Sequence, residues 1–226
     1  MVGEGDDGLT TGSAVLPLLV AGSYVVVGAA FFADPSQSAT TGSDEYWGIL
    51  ADESPARRVF LLGFAMTGLF AIGAIGSIRA LIRPRPSGFV QWGFWLGYLG
   101  YAVTAVSYFR ILSGEALRAR AFSDGDQATQ EAIASFSIGL DPQGWLMFGA
   151  TGVFLAVVNA VAVSRSAWPR WLAAIGGAIA VLSLVAWFGL VTDRSQLVNI
   201  AVGAGGIVLG PIWWAGLGVV IWRRRG

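Results

Sequence analysis

The sequence predicts an all-α fold, a polytopic transmembrane bundle of six helices, and three observations carry that expectation. Hydrophobic residues fill 55% of the 226 positions and charged residues only 12%, where a water-soluble domain carries about a quarter charged residues. Apolar runs of about twenty residues, the length that crosses the hydrocarbon core of a bilayer, recur along the chain. Within those runs the apolar character goes all the way round instead of alternating with period two, which argues for helices and against a barrel. The mean hydropathy of +0.65, the 32 glycines and the 10 tryptophans agree, since glycine lets membrane helices approach closely and tryptophan prefers the headgroup boundary. The whole of 1–226 reads as a single membrane domain.

The first expected span is 13–33, "SAVLPLLVAGSYVVVGAAFFA". Ahead of it, "MVGEGDDGLTTG" carries three acids and no basic residue, the wrong flank for a secretory signal, so the run is read as a retained span. Residues 34–57, "DPSQSATTGSDEYWGILADESPAR", mix turn formers and acids with Tyr46 and Trp47, and read as a mostly irregular lid. The second span, 59–82, ends in the short connection "RPRP", and the third follows at 88–109. On that third helix Tyr98, Tyr101, Thr104 and Tyr108 fall within one sector at about 100° per residue, a polar stripe on an apolar span. Such a stripe either lines a cavity and orients a ligand or bonds to neighbouring helices, and packing is the preferred reading.

The connection 114–142 predicts a short amphipathic surface helix. Ser123 followed by Asp126 resembles a capping box, and Ile133, Phe136 and Leu140 share one face at i, i+3, i+7. The fourth span, 144–163, offers a small-residue face of Gly149, Gly152, Ala156 and Ala160, and contains Asn159, a polar side chain well inside it. The bridge "SRSAWPRW" then leads into the fifth span, 171–191; Pro169 suits the first helical position, where its missing N–H costs nothing. In the sixth span, 198–222, Pro211 after Gly210 removes a hydrogen bond to the Ile207 carbonyl and should kink the helix, as a hinge or as a static bend. "GFWLG" (Gly93, Gly97) and "GIVLG" (Gly206, Gly210) complete the expected packing seams.

Orientation is read from the arginines. With both termini cytoplasmic, that side holds Arg79, Arg83, Arg85, Arg165, Arg170, Arg223, Arg224 and Arg225, with Glu4, Asp6 and Asp7. The other side holds Arg57, Arg58, Arg110, Arg118, Arg120 and Arg194. Eight basic residues in short connections and a terminal cluster, against six in longer loops, place the arginine-dense turns inside. The bridge at 164–171 becomes a tight cytoplasmic turn with Trp168 and Trp171 at the interface.

Several chemistries are excluded. The chain has no Cys and no His, and all 14 basic residues are arginine, so disulfides, thiolate nucleophiles, histidine ligation of zinc or haem and lysine Schiff bases are absent. No Asp or Glu lies within the six runs, and Arg79 is close enough to a span end to snorkel. Coupled ion transport, which needs a buried carboxylate, is disfavoured. Loop carboxylates such as Asp52, Glu53 and Asp141 lack a His, Cys or Lys partner, so no catalytic residue, metal site or cofactor is expected.

The turn "WPRWLAAIGG", the order of spans, the long loop after the first and the stretch "ADESPARRVFLLGFAMTGLFAIGAIGSIRALIRP" resemble a group of prokaryotic six-span integral membrane proteins known only as a domain of unknown function. A Pro-x-Trp-Leu-like start to the fifth helix is typical there, here Pro169, Trp171 and Leu172. The resemblance implies a multi-pass protein of a prokaryotic plasma membrane with no assigned activity.

Two non-enzymatic functions remain. The preferred one is a scaffold or accessory subunit, whose glycine seams or outer surface helix would pack on other membrane proteins. The alternative is a permeation or small-ligand protein with a cavity between the third, fourth and sixth helices, lined by Tyr98, Tyr101, Thr104 and Asn159, and hinged at Gly210 and Pro211. Membrane lipids are the expected surroundings on either reading, and no nucleic acid is expected as a partner.

Overall fold

Long apolar runs bounded by proline, arginine and turn residues become long helices, because in lipid the backbone must satisfy its own hydrogen bonds. A computed structural model describes residues 11–82, 87–136 and 138–224, and among them the fold is helical with no strand. The helices are α1 (Thr11–Ala33), α2 (Asp44–Ala51), α3 (Pro55–Leu81), α4 (Gly88–Asp124), α5 (Gln127–Ser135), α6 (Thr151–Arg165), α7 (Arg170–Val191), α8 (Ser195–Val202) and α9 (Gly210–Arg223). Two π-helical turns, Trp145–Ala150 and Gly203–Leu209, run directly into α6 and α9. Glu4, Asp6, Asp7, Arg83, Arg85 and Arg225, which entered the charge distribution, lie outside the described residues.

Five helical stretches are long and apolar enough to cross a membrane: Gly12–Ala33, Pro55–Leu81, Trp145–Arg165, Arg170–Val191 and Ser195–Arg223. The run expected as the third span, 88–109, is the first part of the 37-residue α4, where glycine, tyrosine and tryptophan interrupt the aliphatic side chains. It nevertheless sits among the others. Helix α1 packs on α3, α3 on α4, α4 on α6, α6 on α7, α7 on α8 and its π-helical turn, and α9 returns to α1, which closes a ring of helices.

The ring is apolar outside as well as inside. Leu18, Val26, Leu69, Val106, Val181 and Val219 all face outward, an arrangement that water would penalise and lipid does not. Trp92, Trp171 and Trp222 are exposed near one end and Trp145 near the other, as expected of side chains that prefer the bilayer boundary. Inside, the end that carries Arg79, Arg165, Arg170 and Arg223 is packed solid by Ile75, Ile78, Phe94, Phe154, Leu172 and Leu217, each fully buried or nearly so.

The small-residue seams are used within the chain. A Cβ on Gly93 would stand 2.9 Å from Val157, and one on Gly97 would stand 2.6 Å from Phe154. Gly206 and Gly210 both face the Tyr24 ring, and Gly152 lies under the Ala180 carbonyl. Of the seam expected on the fourth span, Ala156 and Ala160 face outward.

The bridge at 164–171 closes in one tight turn. Ser166 ends α6 in the left-handed region at φ 51°, and the Ala167 N–H reaches back to the Ala162 carbonyl at 2.9 Å, a helix stop of the Schellman kind. Pro169 caps α7. The Arg165 guanidinium donates to the Ile82 carbonyl, and Arg224 Nη2 donates to the Ser166 carbonyl at 3.2 Å, so the ends of α3, α6 and α9 are tied together.

At the opposite end the structure corrects two expectations. Residues 34–57 are largely ordered: a 3-10 turn at Pro35–Gln37 is followed by α2, whose N-cap Ser43 accepts from the Tyr46 N–H. Residues 114–124 continue α4, so no new helix starts at Ser123, whose hydroxyl instead donates to the Ala119 carbonyl. Helix α5 starts after Asp126 and stops at Ser135, where Phe136 turns extended. The Arg118 guanidinium takes the carbonyls of Ile133 and Phe136, which breaks the expected face of Ile133, Phe136 and Leu140. Trp47, Leu50 and Ala119 form a small core here, with Trp47 stacked on Phe122 at 4.4 Å.

Asp126 accepts from both the Thr129 N–H, at 2.9 Å, and its hydroxyl, at 2.6 Å. Those bonds hold the Asp126 carboxyl below its ordinary value of 3.8. A lowered folded value means that the cap is fully formed above the ordinary carboxylate range and is lost as pH falls through the folded value. The Thr129 amide resonance should therefore titrate with a midpoint below 3.8, and Asp126→Asn should abolish that titration; a midpoint at or above the ordinary value would contradict the cap.

Candidate functional site

Between the helices of the ring lies a cavity of about 70 Å³, in the half of the bundle nearer α2 and α5. That is several times the roughly 10–15 Å³ a single water needs. Every long helix contributes to its wall: Tyr24 from α1, Phe64 from α3, Tyr101 and Thr104 from α4, Thr151 from α6 and Ser183 from α7. Both π-helical turns reach it, the first with Met147 and Phe148, the second with Gly205 and Gly206. Trp213 and Trp214 of α9 form its floor toward the packed core.

The second π-helical turn has a local cause. Four of its seven residues are Gly or Ala, and it is followed by Pro211, which has no N–H to donate. The Gly210 N–H reaches back five residues to the Gly205 carbonyl. Turns of this kind recur at functional sites because they push a short stretch of backbone out of register with the helix on either side.

Aromatic rings frame the space. Phe64 stacks on Tyr108 at 4.6 Å, Tyr24 meets Phe64 edge-on at 6.3 Å, and Tyr101 meets Trp214 at 6.0 Å. The polar groups differ in how they are satisfied. Thr104 Oγ1 donates to the Gly100 carbonyl at 2.9 Å within its own helix. Thr151 Oγ1 is buried without a partner. Gly100 is what lets Thr151 come so close to α4: a Cβ there would stand 2.3 Å from Thr151 Oγ1 and 2.7 Å from the Leu146 carbonyl.

Of the four residues selected from sequence, Tyr101 and Thr104 line this cavity. Tyr98 and Asn159 do not. Tyr98 is partly buried against the core beside Trp95. Asn159 is buried in a different role: its Nδ2 donates to the Leu155 carbonyl at 2.8 Å, and its Oδ1 accepts from Trp213 Nε1 at 3.3 Å. It joins α6 to α9. Gly210 lines the cavity, and Pro211 opens α9 just beyond the π-helical turn. Tyr24, Thr151 and Ser183 were missed, because none of them belongs to a stripe of polar residues at helical spacing.

Among the described residues, no arginine or carboxylate lines the cavity and no three metal-ligating side chains cluster anywhere. What the wall offers is hydroxyls and ring edges in an apolar setting. It can hold and orient a neutral molecule by one or two hydrogen bonds. Compared with family models, curated proteins and solved structures, the chain matches none.

Proposed function

We propose that this is a six-span protein of a prokaryotic plasma membrane that binds a small, neutral, mostly apolar molecule between its helices, with no catalytic step. The reading rests on a cavity framed by aromatic rings, with Thr151, whose buried hydroxyl has no partner, among the residues that line it, because a buried donor without a partner is rare unless something else supplies one. Helix α4 serves as the third crossing, since it packs between α3 and α6. Both termini are cytoplasmic, which puts the short arginine-bearing turns inside and the cavity in the outer leaflet half.

Binding suits the geometry better than permeation, because the buried side chains of Ile75, Ile78, Phe94, Phe154, Leu172 and Leu217 fill the other half of the ring. It also suits it better than a scaffold. The glycine seams such a scaffold would present to partners already face Val157, Phe154 and Tyr24 of the same chain.

Thr151→Val tests the proposal, since it keeps the shape and removes only the hydroxyl. Without ligand the variant should be as stable as the parent or more stable, by about 1 kcal/mol, because an unpaired buried polar group is gone. Organic extraction of the purified parent protein, followed by mass spectrometry, should find a retained neutral molecule. Retention in Thr151→Val should fall several-fold, the equivalent of one lost hydrogen bond. A parent protein that yields nothing beyond bulk lipid, or a variant that retains the molecule equally, would refute the site.

A further inference from the structure

A second concavity lies at the other end of the ring, where α6 turns into α7. It is a bowl of about 380 Å³ lined by Val163, Ser166, Trp168, Pro169, Arg170 and Arg224. Three kinds of donor converge on it. Arg224 is held over the bowl by its bond to the Ser166 carbonyl and keeps further N–H groups for another acceptor. Arg170 begins α7 and is exposed, with no carboxylate among the lining residues. The α7 N-terminus carries no side-chain cap, so its first N–H groups and the positive end of its dipole face the same region.

The independent observation is Trp168. It lines the bowl and is only 3% exposed, yet its indole Nε1–H is buried without a hydrogen-bond partner. Two guanidinium groups, an uncapped helix start and an unmet indole donor form a set that lacks only an acceptor. A phosphate group supplies several acceptor oxygens and the negative charge that all of these donors favour.

We infer that this bowl binds a phosphate group, presented by the headgroup of an anionic phospholipid at the edge of the bilayer. The exposed Trp171 and Trp222 near the same end belong at that depth. Inorganic phosphate shares the chemistry and is the alternative source of the same group. The site is separate from the neutral cavity, which lies in the other half of the bundle, so either can fail without the other.

Native mass spectrometry of the full chain in mild detergent tests the inference, with phosphatidylglycerol and phosphatidylcholine added in turn. Wild type should retain phosphatidylglycerol at least tenfold better than phosphatidylcholine. Arg170→Gln with Arg224→Gln should remove that preference, and Trp168→Phe, which keeps the ring and loses the N–H, should weaken it several-fold. Arg79→Gln, which removes one charge at the same end but outside the bowl, should change little. Competition by millimolar inorganic phosphate would keep the site and move its source to the free anion. Equal retention of the two lipids by wild type with no phosphate binding, or a double variant that binds as wild type does, would overturn it.

Discussion

Replacing Arg57 by leucine raises backbone hydrogen exchange in peptides covering 34–57 and 110–124 by roughly two to four orders of magnitude, while the α6–α7 hairpin stays as protected as before. Arg57 lies in the first turn of α3 and reaches two other segments at once. Its Nε and Nη2 donate to both oxygens of Glu115 at 2.9 and 2.7 Å, and its Nη1 donates to Asp34 Oδ2 at 3.4 Å. The Asp34 side chain is fully buried, and those of Arg57 and Glu115 are 16% and 14% exposed. Removal of the cation therefore leaves two shielded carboxylates near each other without their counterion, a loss of about 3–5 kcal/mol, which is roughly two to four orders of magnitude in an opening equilibrium. Asp34 keeps the Ser36 N–H and Gln37 Nε2 as partners, whereas the carboxylate of Glu115 loses both bonds to Arg57. Arg57→Leu combined with Glu115→Leu should thus recover much of the protection, and Arg57→Lys, which cannot form the two-pronged bond, should fall between. Unchanged exchange in Arg57→Leu would mean that the three segments are held without it, by contacts such as the Trp47 and Phe122 stack and the Arg120 bond to Glu53.

The Asp34, Arg57 and Glu115 cluster also shows where sequence reading ran out. Apolar length located the helix ends well: 13–33 against Thr11–Ala33, 144–163 against Trp145–Arg165, 171–191 against Arg170–Val191. Proline and arginine at those ends mark a change of solvent, and that is a local signal. Helix α4 ignores such a mark. It passes Arg110 and continues for fourteen residues to Asp124, because "EALRARA" consists of strong helix formers that need no lipid once α2 packs beside them. A hydropathy reading stops where the lipid stops; propensity would have carried the helix on. Within the spans, Tyr101 and Thr104 were legible as a stripe, whereas the partners of Asn159 were not. A polar side chain inside a bundle signals that something must satisfy it, and here the Leu155 carbonyl and the Trp213 indole do so across a helix pair that sequence does not pair. The π-helical turns left no mark beyond glycine before Pro211, since a shift from four-residue to five-residue bonding costs little and has no side-chain signature.

The second large effect is expected at Gly68. An added Cβ would stand 2.6 Å from the Tyr101 carbonyl oxygen, 2.7 Å from the Ala105 nitrogen and 2.9 Å from the Ala105 Cβ. Two of those three atoms are backbone, so no side chain can swing aside, and α3 and α4 must separate. Membrane helices have little hydrophobic drive to reassociate, because lipid tails are as apolar as the surfaces they leave, so close packing itself holds the pair. Gly68→Ala should cost at least the upper part of the roughly 1–3 kcal/mol typical of overpacking, read as a lower unfolding midpoint in a denaturing-detergent titration. Gly76 on the same helix meets nothing within 4 Å; Gly76→Ala should be neutral or gain up to about 1 kcal/mol from helix propensity. Since Tyr101 and Thr104 ride on the displaced stretch of α4 and line the neutral cavity, Gly68→Ala should also lower retention of the bound molecule, and Gly76→Ala should not. Equal midpoints for the two variants would show that α3 and α4 can separate without cost, and the close approach would then have no part in holding the cavity open.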